Sequence, residues 1–189
     1  MELRDKTIFF LGSSVTYGAA SGGISFADLM VERCGIKMIK EAVSGTTLAD
    51  TMDKSYVSRL KKIDKNTKVD LFICQLSTND ADTNKVPNPV ETETAIRFII
   101  TYIKQTFGCP IVFYTGTYFN NWRYEKMVHW LKDLKKEYDF HIIDFWDDPE
   151  MRAVSEEDYK RYMHDSVHPK YDGYSEWWTP KFIEFCEAL

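Results

Sequence analysis

The chain alternates short apolar runs with longer amphipathic segments, and this alternation limits the folds open to it. Five runs are predicted to be strands: Thr7–Leu11, Met38–Val43, Val69–Leu76, Ile111–Tyr114 and Phe140–Asp144. Most are apolar almost throughout, which is typical of strands buried on both faces. Because strands that alternate with helices favour a parallel sheet covered on both sides, the sequence predicts an α/β fold. We expect a three-layer α/β/α sandwich around a five-stranded, mostly parallel sheet.

The segments between these runs have the period of amphipathic helices. Asn88 is expected to cap one such helix, with Pro89 at its first position. A closing helix is predicted from about Ser175 to Leu189. Its inner face is expected to carry Trp178, Phe182, Phe185 and Leu189. No repeat or linker interrupts the pattern, so residues 1–189 are interpreted as a single domain.

Composition excludes several classes of function. The chain of 189 residues has 24 Lys and Arg against 29 Asp and Glu, a net charge of -5, and so offers no basic surface for nucleic acid. Its apolar runs fall short of the roughly 18 residues of a membrane span, and no leader peptide is recognised. Four widely spaced cysteines predict free thiols in a reducing compartment. We therefore expect a cytoplasmic protein, whose oligomeric state the sequence leaves open.

Polar residues collect where the predicted strands end, which is where open α/β sheets bind ligands. The four loops read GSSVTYG at 12–18, SGTT at 44–47, STND at 77–80 and TGTYFNNW at 115–122. The first loop offers the hydroxyls of Ser13, Ser14 and Thr16. A hydroxyl that attacks a carbonyl carbon needs a base and a group that orients the base. In a later polar loop, Asp165 precedes His168 by three residues and can hold its ring in a turn.

A tetrahedral intermediate also needs donors aimed at its negatively charged oxygen. The N–H of Ser14 qualifies if Ser14 begins a helix, and Gly45 can bring an N–H close because it lacks a Cβ. Asn79 can supply a side-chain amide. Large side chains in or near these loops are candidate contacts for a substrate. They are Tyr17, Tyr114, Tyr118, Trp122 and Val167.

These residues, in this order, resemble the SGNH or GDSL-type serine hydrolases. The matching blocks are FLGSSVTYG with Ser14, VSGTT with Gly45, LSTND with Asn79, and DSVHP with Asp165 and His168. The resemblance spans Thr7 to Tyr174. It implies the flavodoxin-like SGNH hydrolase fold and selects Ser14 among the three hydroxyls.

The resemblance also implies a role for each residue. His168 would be the general base for Ser14, and Asp165 would orient the ring of His168. The oxyanion hole would be formed by Ser14, Gly45 and Asn79. Two positions depart from the family pattern: Ser13 stands where Asp is common, and Ser77 stands where Gly is common. Neither position is catalytic in the family.

The resemblance implies an esterase that acts through an acyl-enzyme, on short acyl chains such as O-acetyl groups of carbohydrates or other small esters. Thioesterase, lysophospholipase and acyltransferase activities occur in the same family. Three other readings stay open: a flavodoxin-like module for phosphate or flavin, a metal site on His164 and His168, and an inactive relative that only binds. No dinucleotide or P-loop motif is present, and no cofactor or metal is expected.

Overall fold

One parallel sheet organises the computed structural model, which describes residues 1–189. Its strands are β1 (Thr7–Gly12), β2 (Lys37–Ala42), β3 (Leu71–Gln75), β4 (Ile111–Tyr114) and β5 (His141–Ile143). They lie in the order β2-β1-β3-β4-β5, and every neighbouring pair is parallel. The chain therefore changes direction across the sheet between β1 and β3, and the carboxyl ends of these two strands lie side by side at the switch point. The prediction of a five-stranded parallel sheet is confirmed.

Helices connect the strands and cover the sheet. They are α1 (Ser14–Tyr17), α2 (Phe26–Cys34), α3 (Tyr56–Leu60), α4 (Val90–Thr106), α5 (Trp122–Glu137), α6 (Pro149–Arg152), α7 (Glu156–Tyr162) and α8 (Thr179–Glu187). A 3₁₀ turn at Thr78–Ala81 follows β3, and a π-helix at Gly173–Trp178 leads into α8. A bilayer-spanning helix would need greater length and apolarity than any of these has.

Side chains of the central strands point alternately into two cores, which makes the three layers. Along β1, Phe9 and Leu11 face a core that includes residues of α3, α4 and α5. Ile8 and Phe10 face the opposite core, which includes residues of α2 and α8. Strands buried on both faces need apolar residues at successive positions, which explains the unbroken apolar runs in the sequence.

Element ends differ from the predicted ones by one or two residues. β3 begins two residues after the predicted start at Val69, although Val69 itself is buried. Helix α4 begins at Val90, so Pro89 takes the cap position that we predicted for Asn88. The Asn88 side chain still accepts a hydrogen bond from the Val90 N–H, at 3.2 Å. The polar start of α4 is therefore shifted by one residue.

The closing helix is less regular than predicted. Its first part is the π-helix, and regular α-helix starts only at Thr179. Trp178 and Phe182 are buried as expected, but Leu189 is 36% exposed, so its assignment to the inner face is wrong. Cys186 is buried instead. The helix ends at Glu187, before Leu189 can reach the core.

The predicted free thiols are confirmed. All four cysteines are unpaired, and three of them are buried. Burial raises the pKa of the Cys109 thiol to about 11 and that of Cys186 to about 12. These thiols therefore stay protonated near neutral pH and act as small apolar side chains.

Candidate active site

The turn after β1 has space for no side chain at Gly12. A Cβ at this position would lie 1.7 Å from Thr16 Oγ1 and 2.9 Å from Gln75 Oε1. Glycine is therefore required here because neighbouring side chains approach the backbone closely. Its φ is not positive, so backbone conformation does not require it. It allows β1 to run almost directly into α1, which begins at Ser14.

Gln75, the last residue of β3, engages two of the three candidate hydroxyls. Its Oε1 accepts hydrogen bonds from Ser13 N at 2.9 Å, Ser13 Oγ at 3.3 Å and Thr16 Oγ1 at 3.0 Å. Since Thr16 donates to Gln75, it accepts from Tyr114 OH, at 2.6 Å. Tyr114 is only 1% exposed, so its assignment to a substrate pocket is wrong. Tyr114 and Thr16 therefore belong to a buried hydrogen-bond network around Gln75. Ser14 does not take part in this network.

The Ser14 side chain contacts His168, a residue from a distant part of the sequence. Ser14 Oγ lies 2.8 Å from His168 Nε2, although the two residues are 154 positions apart. On the other side of the ring, His168 Nδ1 lies 2.8 Å from one carboxylate oxygen of Asp165 and 3.0 Å from the other. Both ring nitrogens are thus engaged. The three side chains form a continuous hydrogen-bonded chain from carboxylate to hydroxyl.

A tight turn holds Asp165 in place. Asp165 Oδ1 accepts the backbone N–H groups of Val167 at 2.7 Å and His168 at 2.8 Å. His164 N donates to His168 O at 2.9 Å and closes the turn. Partial burial raises the pKa of Asp165, but the hydrogen bonds from Val167 and His168 outweigh it and hold the pKa below its usual range. The carboxylate is therefore ionised at neutral pH.

The loop after β2 presents Gly45 in a tight turn. Thr46 N donates to Val43 O at 3.4 Å, and Gly45 has a φ of +80°. A positive φ at the third position is what a type II turn requires, and glycine adopts it without strain. Gly45 is exposed, and its N–H donates to no residue of the chain. The N–H of Ser14, the first of α1, is likewise free to donate to a ligand.

Asn79, in the 3₁₀ turn after β3, is linked to the same loop. Its Nδ2 donates to Thr46 O at 3.0 Å, which uses one of two N–H groups. Ser77 Oγ donates to the same carbonyl at 3.4 Å. The serine that replaces the family's usual glycine therefore adds a second link between the loops that carry Gly45 and Asn79.

Asp80 is a site residue that our sequence analysis missed. It is 1% exposed and accepts hydrogen bonds from Leu48 N at 2.7 Å, Ala49 N at 2.8 Å and Thr92 Oγ1 at 2.9 Å. Burial nevertheless raises the pKa of this carboxyl above its usual value. The only signal in the sequence is its position next to Asn79. Asp80 joins the loop after β2 to the loop after β3.

Arg59, a buried cation on α3, is a second residue near the site that the sequence analysis did not predict. Its Nη2 donates to Gly12 O at 2.8 Å, its Nη1 to Glu41 O, and its Nε to Lys54 O at 3.1 Å. It is 7% exposed, and burial lowers its pKa. Arg59 therefore satisfies carbonyls at the ends of β1 and β2, directly beneath the turn that carries Ser14.

An aromatic cleft of about 590 Å³ opens near this edge of the sheet. Its lining includes Thr117, Tyr118, Tyr159 and Trp177. Tyr159 lies on α7, the helix that leads into the loop of Asp165 and His168. Tyr118 is 45% exposed, with the Arg152 guanidinium 4.2 Å from the centre of its ring, and its role as a pocket residue stays a prediction.

The other predicted pocket residues lie in different surroundings. Tyr17 is 46% exposed, with the Lys40 ammonium 5.7 Å from its ring. Trp122 is 71% exposed and lines a second, small cleft with Pro89. The Val167 side chain is partly buried and packs against the core that includes residues of α2 and α8. Of the predicted pocket residues, only Tyr118 lines the aromatic cleft. Tyr159 and Trp177 also line it, and they were not among the predicted pocket residues.

Comparison with known proteins identifies the family of this chain. The model of the GDSL-like lipase/acylhydrolase family matches residues 10–175, and the chain belongs to this family. Membership implies hydrolase or esterase activity, with a small-molecule ester as the substrate. It also rules against a flavodoxin-like phosphate module, which would leave the Ser14–His168 contact unused. A search of curated proteins found no match.

Solved structures share the fold at low sequence identity. A protein from Lactobacillus plantarum is 15% identical, aligns over 98% of both chains and has a TM-score of 0.80. A carbohydrate acetylesterase family member from Sinorhizobium meliloti is 15% identical over 97% of this chain and 100% of that chain, with a TM-score of 0.68. A family two carbohydrate esterase from Clostridium thermocellum, solved with cellohexaose, is 15% identical over 100% of this chain and 67% of its own, with a TM-score of 0.66. At these identities, the similarity establishes the fold.

Proposed function

We propose that this protein hydrolyses carboxylic esters through an acyl-enzyme on Ser14. The observation that carries the proposal is the hydrogen-bonded chain from Asp165 through His168 to Ser14 Oγ. A serine hydroxyl is a weak nucleophile unless a base accepts its proton, and this arrangement supplies both the base and its orienting carboxylate.

The reaction follows from the positions of these groups. Ser14 Oγ attacks the carbonyl carbon of the ester while His168 Nε2 accepts the hydroxyl proton. The negatively charged oxygen then receives hydrogen bonds from the N–H groups of Ser14 and Gly45 and the second N–H of Asn79. Collapse of this intermediate breaks the bond to the alcohol, which leaves with the proton from His168. Water, activated by the same imidazole, releases the acid and regenerates Ser14.

Short acyl esters, in particular O-acetyl groups on carbohydrates, are the proposed substrates. Two structural relatives are carbohydrate esterases. The lining of the aromatic cleft includes Tyr118, Tyr159 and Trp177, and aromatic side chains of this kind offer large apolar faces to a sugar ring. Thioesters and lysophospholipids are the competing substrates of the same reaction class, and an acyltransferase would pass the acyl group to another acceptor.

Substitution of the two adjacent serines tests the nucleophile. Ser14→Ala is expected to lower kcat/KM by at least about 10³-fold, because it removes the attacking oxygen. Ser13→Ala is the matched control: it removes only a 3.3 Å hydrogen bond to Gln75, and kcat/KM should stay within about threefold of the original. An organophosphonate should label the original protein and the Ser13 variant but not the Ser14 variant. Retention of about a tenth of the activity by Ser14→Ala contradicts the proposal.

A substrate panel tests the acyl group and the alcohol. The panel contains p-nitrophenyl esters of increasing chain length, acetylated sugars, an acyl thioester and a lysophospholipid, with Ser14→Ala as the blank. We expect the highest kcat/KM for acetyl or other short acyl esters. A maximum at long chains, or turnover of the thioester or lysophospholipid alone, overturns the assignment to short esters.

A further inference from the structure

Lys85 binds two residues of the proposed oxyanion hole at once. Its Nζ donates to Asn79 Oδ1 at 2.7 Å and to Gly45 O at 3.2 Å. Neither the family blocks nor the helical pattern of the sequence singles out this lysine. It lies in the segment between the 3₁₀ turn and α4, six residues after Asn79.

The contact with Lys85 determines which way the Asn79 amide points. An ammonium group has three donors and no acceptor, so only the amide oxygen can face it. The NH₂ group must then point away from Lys85, where one N–H binds Thr46 O at 3.0 Å and the other is left to donate. Lys85 and the Thr46 carbonyl therefore together set the orientation that an oxyanion-binding amide requires.

The position of Lys85 is itself well defined. Its backbone N–H donates to Asp82 O at 3.1 Å, and the next residue, Val86, is fully buried. Arg123 Nη2 holds the Val86 carbonyl at 2.7 Å. The lysine forms no ion pair with a carboxylate within 4.0 Å, in contrast to Lys40, which binds Asp28 at 2.6 Å. Its positive charge is thus directed at the amide and carbonyl oxygens of the loop pair.

We propose that Lys85 is a positioning residue of the oxyanion hole, which orients and polarises the Asn79 amide through its charge. A cation bound to the amide oxygen draws electrons from the nitrogen side and makes the remaining N–H a stronger donor. The benefit is greatest when the acceptor carries a full negative charge, as the tetrahedral intermediate does and the ground-state ester does not. Lys85 therefore acts on kcat more than on KM. This inference rests on the proposed esterase reaction at Ser14.

Three substitutions separate the charge of Lys85 from its hydrogen bond. Lys85→Met removes both and is expected to lower kcat by about 10- to 100-fold, less than the 10²- to 10³-fold typical for loss of an oxyanion donor itself, with KM nearly unchanged. Lys85→Gln keeps a hydrogen-bond donor without the charge, and its kcat should be close to that of the Met variant. Lys85→Arg keeps the charge and should recover most of kcat. Lys62→Met removes one exposed lysine elsewhere and controls for net charge.

A transition-state analogue gives a readout that a merely structural role would not change in the same way. A boronic acid forms a negatively charged tetrahedral adduct on serine, so its Ki should rise with the loss of kcat across the variants, while the Ki of the product alcohol stays constant. Lys85→Met with kcat within twofold of the original overturns the inference. So does an equal loss in the Met and Arg variants together with a lowered Tm, because that pattern indicates a structural role.

Phosphonate labelling keeps this inference distinct from the proposed function. If the original protein cleaves esters and Ser14 is labelled, an unchanged Lys85→Met variant rejects the role of Lys85 alone. If the original protein shows neither turnover nor labelling of Ser14, the proposed function fails, and the inference fails with it.

Discussion

His168 contacts a carboxylate on one side and the Ser14 hydroxyl on the other, so its charge state decides whether the hydroxyl can be activated. Asp165 receives two backbone N–H groups in addition to the ring, and its pKa is lowered as a result. A carboxyl with a lowered pKa stays ionised as the pH falls toward the usual aspartate range.

The pH profile of the reaction depends on the ionised state of Asp165, whose pKa is lowered. We expect kcat/KM to fall by about tenfold per pH unit in acidic solution, because a protonated imidazole cannot accept the Ser14 proton. Since Asp165 remains ionised there, the fall should have the slope of one proton. The measurement is kcat/KM for p-nitrophenyl acetate from pH 5 to 9. A level profile down to pH 5, or a slope of two protons, is incompatible with this arrangement.

The loops after β2 and β3 behave as one unit because Asp80 joins them. Its carboxylate accepts two N–H groups from the first loop, those of Leu48 and Ala49, while Asn79 beside it donates to Thr46 O. Burial makes ionisation of this carboxyl unfavourable, and the hydrogen bonds offset that cost only in part. Asp80 thus links the two donors Gly45 and Asn79 at some expense of stability.

Asp80→Asn tests this link and its dependence on pH. The variant should lose about 1–3 kcal/mol of unfolding free energy, because an amide NH₂ would face a backbone N–H donor. The raised folded-state pKa means that Asp80 contributes most at low pH, and its contribution falls as the pH rises through that pKa. Asparagine does not titrate, so the difference from the original protein should shrink as the pH rises. Urea unfolding from pH 4 to 8 measures it.

Asp82→Asn is the matched control for that experiment. Asp82 is exposed, and its side chain accepts only the Asn84 N–H at 2.9 Å, which asparagine can also accept. Its unfolding free energy should stay within about 0.5 kcal/mol of the original. Equal stability of the two variants, or a difference for Asp80→Asn that grows with pH, contradicts the role given to Asp80.

At the scale of the molecule, the C-terminal segment completes one core and supports the first turn of the site. Phe182 on α8 stacks on Phe26 of α2, with ring centroids 3.8 Å apart and planes at 3°. Tyr174 OH donates to Val15 O in α1 at 2.6 Å. The segment that follows the loop of His168 is therefore joined to the helix that begins at Ser14, which helps to hold the two residues at 2.8 Å.

Truncation of Phe182 should destabilise the whole fold. Phe182→Ala is expected to lower the unfolding free energy by about 3–5 kcal/mol, because it leaves a cavity between α2, α8 and the sheet. Tyr171→Ala, at a side chain 47% exposed, should change it by no more than about 0.5 kcal/mol. Thermal and urea unfolding give both values. A loss below about 1 kcal/mol for Phe182→Ala would show that the α8 layer contributes little to the fold.

The layered fold and the order of the site loops were predictable because the signals are local. An apolar run such as Ile8–Leu11 indicates a strand that is buried on both faces. Apolar residues spaced three and four apart indicate a helix with one buried face. Helix ends were less predictable: Leu189 continues the apolar spacing, yet the helix stops before it. The blocks around Ser14, Gly45 and Asn79 were found from their positions after predicted strands, whereas His168 was found from its spacing to Asp165. The resemblance to a known family selected Ser14 among the three hydroxyls.

The sequence by itself determined the layers, the edge of the sheet and the residue types at that edge. Tertiary structure alone decided which hydroxyls are engaged by Gln75, that Tyr114 is buried, and that Lys85 faces Asn79. The reason is physical: periodicity reports which face of an element is buried, because neighbouring residues share that environment. A hydrogen bond between separate loops depends on a few ångströms of relative position, which the packing of all three layers sets.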